Sequence, residues 1–187
     1  MRREVKSLPD QPLRYFVRDD DIGELTPALK HFVATFVRLS IPVSYQIIPA
    51  LLTEECATYL AGISRDYPDL IEFGQHGLRH RMNVRGKELK REFGPERSAA
   101  EQSSDIVEGL KMLHEKLRPD RPISLFTPPQ HKFDRRTVQA IAAAGHTTFS
   151  AACYPTLHHR AAYTVGRSLG LSSLRHHGIS YHGRRRP

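Results

Sequence analysis

In this chain the residues with chemical character gather at three places, and each place directly follows a short apolar run. Residues 13–18 lead into Asp19-Asp20-Asp21, then Ile22-Gly23; residues 70–74 lead into Gln75-His76-Gly77-Leu78-Arg79-His80; residues 123–126 lead into Thr127 and the polar stretch at 128–134. Each run reads as a strand, and so does 42–48, stopped by Pro49, and 146–152. The segments between them carry apolar residues at helical spacing. Thr26-Pro27 is an N-cap with proline at the first helical position, opening a helix to about residue 39 with Leu29, Phe32, Val33, Phe36 and Val37 on one face. Further helices are expected over 53–63 and over 96–117, where Ile106, Val107, Leu110, Leu113 and Leu117 recur. A polar loop runs up to Pro95 before the longer of these. Another helix spans 135–144, with Asp134 as N-cap and Gly145 as C-cap. Strands alternating with amphipathic helices predict an α/β architecture. The pattern thins beyond 152, where 161–165 and 178–181 are candidate strands. With no repeat, linker or low-complexity block, 1–187 reads as a single domain.

Composition narrows the function classes. Hydrophobic residues at 39% and charged residues at 26% describe a globular chain, and no apolar run approaches the ~18 residues that span a membrane. The basic start Met1-Arg2-Arg3 has no apolar stretch behind it, so no signal peptide is expected, and Cys56 and Cys153 are too few for a disulfide framework. Both point to the cytoplasm. The net charge of +8 invites a nucleic-acid reading. Against it, the basic residues are dispersed, mixed with acids as in Gly86-Lys87-Glu88-Leu89-Lys90-Arg91-Glu92, and not interleaved with aromatics. A basic nucleic-acid-binding domain is therefore the weakest of the functional readings, and the basic tail at 184–186 also suits a disordered end.

The three polar clusters carry more. Loops at the carboxyl ends of parallel strands converge on one face in barrel folds. An aspartate and two histidines meeting there make a ligand set for zinc, with one position left open for water. A second carboxylate beside the ligand can serve as general base. Each cluster alone has a plainer explanation: Asp19-Asp20-Asp21 as a turn, His76 and His80 as a helix-surface pair. Three adjacent carboxylates repel one another, however, and are easiest to accommodate beside a cation.

The order of these clusters resembles the polysaccharide deacetylase superfamily, carbohydrate esterase family 4. Val17-Arg18-Asp19-Asp20-Asp21-Ile22-Gly23 is similar to its first motif, a strand ending in Asp-Asp shortly before glycine. Phe73 to His80 is similar to its second, His-Ser/Thr-x-x-His, with Gly77 where Ser or Thr is usual. Phe126-Thr127-Pro128-Pro129, then Phe133 and the helix to Gly145, resembles its third. The motif-bearing part is 13–152.

The resemblance implies a distorted (β/α) barrel and a metal-dependent hydrolase that removes an acyl group from an amide nitrogen of a sugar or similar small substrate. It implies Asp20 as catalytic base, with Asp21, His76 and His80 as ligands of one divalent metal ion, zinc suiting best. Asp19 is the rival if the register slips by one residue. A non-catalytic carbohydrate-binding relative is the alternative. Two departures stand out. The arginine that supports the base in the third motif is absent, and His131 and Lys132, which stand there, read as surface polarity. A late general-acid histidine has its counterpart in His182 at most. The chain ends at Pro187, where such a domain has further strands, so the barrel is expected to be incomplete at its C-terminus. His158, His159, His176 and His177 read as surface pairs.

Overall fold

Strand β2 (Val43–Ile47) is buried along its whole length, which sets it at the middle of the architecture rather than at an edge. On one side it pairs in parallel with β1 (Val17–Ile22), on the other with β3 (Ile71–Gln75). The sheet continues in parallel through β6 (Leu125–Phe126), β7 (Thr148–Ala152) and β8 (Ser172–His176), giving six strands in the order β1-β2-β3-β6-β7-β8. This computed structural model describes residues 16–84, 86–89, 91–152, 165–166 and 168–176. Apart from Val165, the candidate strands at 161–165 and 178–181 lie outside the described residues, as do Cys153, His158, His159, His177, His182 and the tail at 184–186.

The crossovers are made by α1 (Pro27–Arg38), α2 (Glu54–Asp66), α3 (Ala99–Leu117) and α4 (Arg135–Ala143). Their starts are chemically marked. Thr26 accepts from the Leu29 N–H and Thr53 from the Cys56 N–H, while Asp134 accepts from the Thr137 N–H in a reciprocal capping box. Their apolar faces cover the outer side of the sheet. One cluster joins β1–β3 to α1, α2 and the end of α3 around Tyr45, Ile47, Leu60 and Leu113; another joins Phe126 and Phe149 to Ile106 and Ile141.

The inner side is polar and strongly curved. Arg18 of β1 donates from Nη1 to the Ser150 hydroxyl of β7 at 2.7 Å, although β2, β3 and β6 lie between those strands. Four strand spacings in a flat sheet would hold β1 and β7 about 19 Å apart, beyond the reach of the two side chains. The sheet is therefore rolled into a half-barrel, an incomplete form of a distorted (β/α) barrel.

Several boundaries differ from expectation. The first strand runs on through the acidic cluster to Ile22, because its pairing with β2 slips after Asp19 and resumes at Ile22. The polar loop before Pro95 holds a small antiparallel hairpin, β4 (Met82–Val84) and β5 (Lys87–Leu89). Helix α3 starts at Ala99 rather than 96, where Ser98 and Glu101 form a capping box. Val107, expected on its buried face, is 52% exposed. Strand β8 falls between the two late candidates, in a sequence too polar to announce it.

Candidate metal centre

The site begins with the pleat of β1. Arg18 and Asp20, two residues apart, share the inner face. The guanidinium holds the carboxylate at both oxygens, Nη2 donating to Oδ2 at 2.7 Å and Nε lying 2.7 Å from Oδ1. Asp19 stands on the other face, in register with Tyr45, whose ring packs against Phe32 of α1. Burial there, reinforced by the neighbouring Asp20 and Asp21 charges, pushes the Asp19 carboxyl up to about 6. Asp21 then breaks the alternation with a left-handed backbone, φ 63°, which aspartate tolerates better than most residues.

Asp21 reaches the end of β3. Its Oδ1 lies 3.1 Å from Nε2 of His76 and 3.1 Å from Nε2 of His80, and the three candidate ligand atoms all fall within 4.8 Å of one another. The two imidazoles hold the Asp21 carboxyl well below the usual carboxylate range, and Asp21 in return raises His80. His76 is buried, and its Nδ1 lies 2.8 Å from the Thr127 carbonyl, which can only accept. Nδ1 therefore carries a hydrogen, and Nε2 is the ring atom that faces Asp21. Two imidazole nitrogens and a carboxylate oxygen converging this closely make a donor set that could hold a divalent cation, and the Thr127 contact is of the kind that orients a ligating histidine. These residues fit such an ion.

The loop carrying His80 closes around Glu92, a fully buried residue from beyond the hairpin. Its carboxylate accepts from the N–H groups of Leu78, Arg79 and His80 at 2.8, 3.0 and 3.2 Å. Gly77 has φ +68°, and a Cβ there would lie 2.0 Å from Glu92 Oε2. A Ser or Thr at this position, as the resemblance led one to expect, has no room.

Above β6, the turn Pro129–His131 places both Gln130 and His131 at positive φ, 55° and 53°. His131 is half-buried and lies within electrostatic reach of Arg18, Asp20 and His76; burial first, then the Arg18 charge, pulls its imidazole below the usual histidine range. This corrects its reading as surface polarity, which holds for exposed Lys132. Asp21, His80, Gln130 and His131 are four of the six non-glycine residues with positive φ among those described, so backbone strain concentrates at this site.

Asp20, Asp21, His76 and His80 thus come together, and Asp19 faces away from them. His182 lies outside the described residues. Sequence reasoning missed Arg18 and Glu92. Spacing could have found Arg18, because a residue two before Asp20 on a strand must share its face. Nothing local in the sequence ties Glu92 to the loop at 77–80.

No family profile matches the sequence, and no curated protein matches it significantly. Solved structures do. The deacetylase domain of BpsB from Bordetella bronchiseptica and a de-N-acetylase from Aggregatibacter actinomycetemcomitans each align with a TM-score of 0.57 at 13% identity, covering 73% of this chain. The chain spans 62% of the length of each. The lactam utilization protein from Thermus thermophilus aligns at TM-score 0.56 and 15% identity, over 87% of this chain and 66% of that one. The fold is that of the polysaccharide deacetylases.

Proposed function

We propose that this chain is a metal-dependent deacetylase, a hydrolase that removes an acetyl or similar acyl group from the amide nitrogen of a sugar or another small substrate. The observation that carries this reading is the convergence of Asp21, His76 and His80 beside an arginine-held Asp20. That two solved structures of this fold are a deacetylase and a de-N-acetylase supports it.

In this reading Asp21 Oδ1, His76 Nε2 and His80 Nε2 hold one divalent ion, for which zinc suits the nitrogen and oxygen donors. Such an ion, when bound, lowers the pKa of a water and polarises the substrate carbonyl. The protein's own groups do the rest. The Asp20 carboxylate accepts the proton of the attacking water. Arg18 holds that carboxylate in place with a hydrogen bond from Nη2 to Oδ2 and a close ion-pair contact of Nε with Oδ1. The carbonyl of Thr127 keeps the His76 ring from rotating. His131 lies within electrostatic reach of Arg18, Asp20 and His76, with an imidazole that burial pulls below the usual histidine range.

The experiment is acetate release from a panel of N-acetylated sugars by zinc-loaded protein, with Asp20→Asn as control. Release that Asp20→Asn abolishes supports the reading. Metal binding without release, unchanged in Asp20→Asn, favours the carbohydrate-binding relative. Among the described residues no helix is long and apolar enough to cross a membrane.

A further inference from the structure

We infer that Glu92 is a positioning residue for the candidate metal centre, holding the loop at 76–80 in its ligating shape before any ion arrives. The inference rests on the metal-centre reading above and concerns how this chain builds that centre.

The loop has a difficult conformation to keep. Between its two histidines it passes through Gly77 at φ +68° and ends with His80 at φ 59°. A left-handed residue other than glycine is strained and persists only where its surroundings hold it. The loop's carbonyls are held by Gln75 Nε2 at Gly77 and by the Ala50 N–H at Leu78, while its N–H groups at 78–80 all meet one carboxylate. Glu92 Oε2 accepts from Leu78 and from His80, and Oε1 accepts from Arg79, so three consecutive backbone N–H groups point at one side chain. Burial of a carboxylate is costly unless hydrogen bonds compensate it, and these three are the compensation. Arg97, the nearby cation, bonds the Glu92 backbone carbonyl at 3.2 Å rather than its carboxylate.

The exchange at Gly77 belongs to the same device. Any Cβ at 77 would collide with Glu92 Oε2, so a side chain on residue 77 and the Glu92 carboxylate exclude each other. The chain has taken the carboxylate. Glu92 thereby acts on His80 through the backbone, its carboxylate accepting from the His80 N–H.

The test uses Co²⁺ titrated into metal-free wild-type protein and into Glu92→Gln, read by calorimetry and by the visible absorption of the bound ion. Glutamine keeps the size but turns one acceptor into a donor facing an N–H. The expected result is binding weaker by about 10–100-fold, the usual effect of losing an outer-shell partner, with an altered Co²⁺ absorption band. Gly77→Ala, which displaces the carboxylate from the other side, is expected to do the same. A Glu92→Gln protein that is less heat-stable yet binds Co²⁺ with wild-type affinity and spectrum overturns the inference and leaves the metal centre standing. Absence of Co²⁺ binding by wild type overturns both. Should neither variant fold, amide exchange in metal-free wild type decides. Protection of the 78–80 amides by about a hundredfold or more supports the clamp, and free exchange overturns it.

Discussion

Arg18 and Asp20 face the same way from one strand and meet at two contacts of 2.7 Å, while the third arm of the guanidinium reaches Ser150 across the half-barrel at 2.7 Å. The position of the Asp20 carboxylate is thus set from both walls of the cavity. A planar, rigid fork can do this; an ammonium on a flexible stem cannot.

Arg18→Lys should therefore keep the charge and lose the geometry. With an N-acetylated sugar as substrate, kcat is expected to fall by about tenfold or more, with KM changed by about twofold at most. Ser150→Ala, which removes only the far anchor, should have a smaller effect in the same direction. Initial rates over a range of substrate concentrations check both.

Elemental analysis of protein purified from zinc-supplemented culture should find about one divalent ion per wild-type chain, as expected for a single three-residue ligand set. His76→Ala and His80→Ala should each lose it. Treatment with a chelator should abolish acetate release, and added zinc or cobalt should restore it.

His146 gives a prediction for stability against pH. It is buried, and its Nε2 donates to Gln75 Oε1 at 2.9 Å. Burial, against smaller raising contributions from the Ile123 and Ser124 backbone, pushes its imidazole down to about 4. The unfolded chain takes up this proton near pH 6.5. The stability His146 contributes is therefore complete above that pH and is lost as pH falls from about 6.5 to about 4, by a few kcal/mol. Asp19, raised to about 6, works in the opposite sense over part of this range, since its protonated form is favoured in the folded state. The difference between proteins isolates the histidine. In urea melts, wild type should lose stability relative to His146→Gln between pH 7.5 and 4.5.

Gly109 lies on α3 where the helix crosses the end of β3. Alanine is the better helix former by about 1 kcal/mol. Its Cβ, however, would lie 2.4 Å from Gln75 Nε2 and 3.1 Å from the Gly77 carbonyl. Gln75 cannot simply turn away, because that amide also donates to Gly77 and Ile106 and accepts from His146. Overpacking of this kind costs about 1–3 kcal/mol. Gly109→Ala should lower the thermal midpoint despite its helical preference, as circular dichroism would show.

What could be read from the sequence was whatever local chemistry specifies. Thr26 and Asp134 cap helices because a short oxygen-bearing side chain there meets free N–H groups, and no distant residue is needed. The same holds for strands that end in polar clusters. Val107 sits at a buried helical spacing yet is exposed, since periodicity gives a face but not how much of it a neighbour covers. Strand β8 takes its identity from pairing with β7 instead of from its own apolar pattern. Glu92 was invisible for a related reason: its partners lie across a hairpin, and only folding brings them within 3.2 Å.

The slip in β1 decides which substitutions can be interpreted. Parity in a pleated strand sends adjacent side chains to opposite sides, so Asp20 and Asp21 can serve one cavity only because residue 21 leaves the extended region. A replacement at 21 therefore changes two things at once, the group offered and the conformation that offers it. Alanine or valine would draw the backbone back toward the regular pleat. Asparagine shares aspartate's ease at positive φ and alters the donor alone. Loss of metal in Asp21→Asn would speak for the carboxylate itself, and a contrast with Asp21→Val would measure what the broken parity adds.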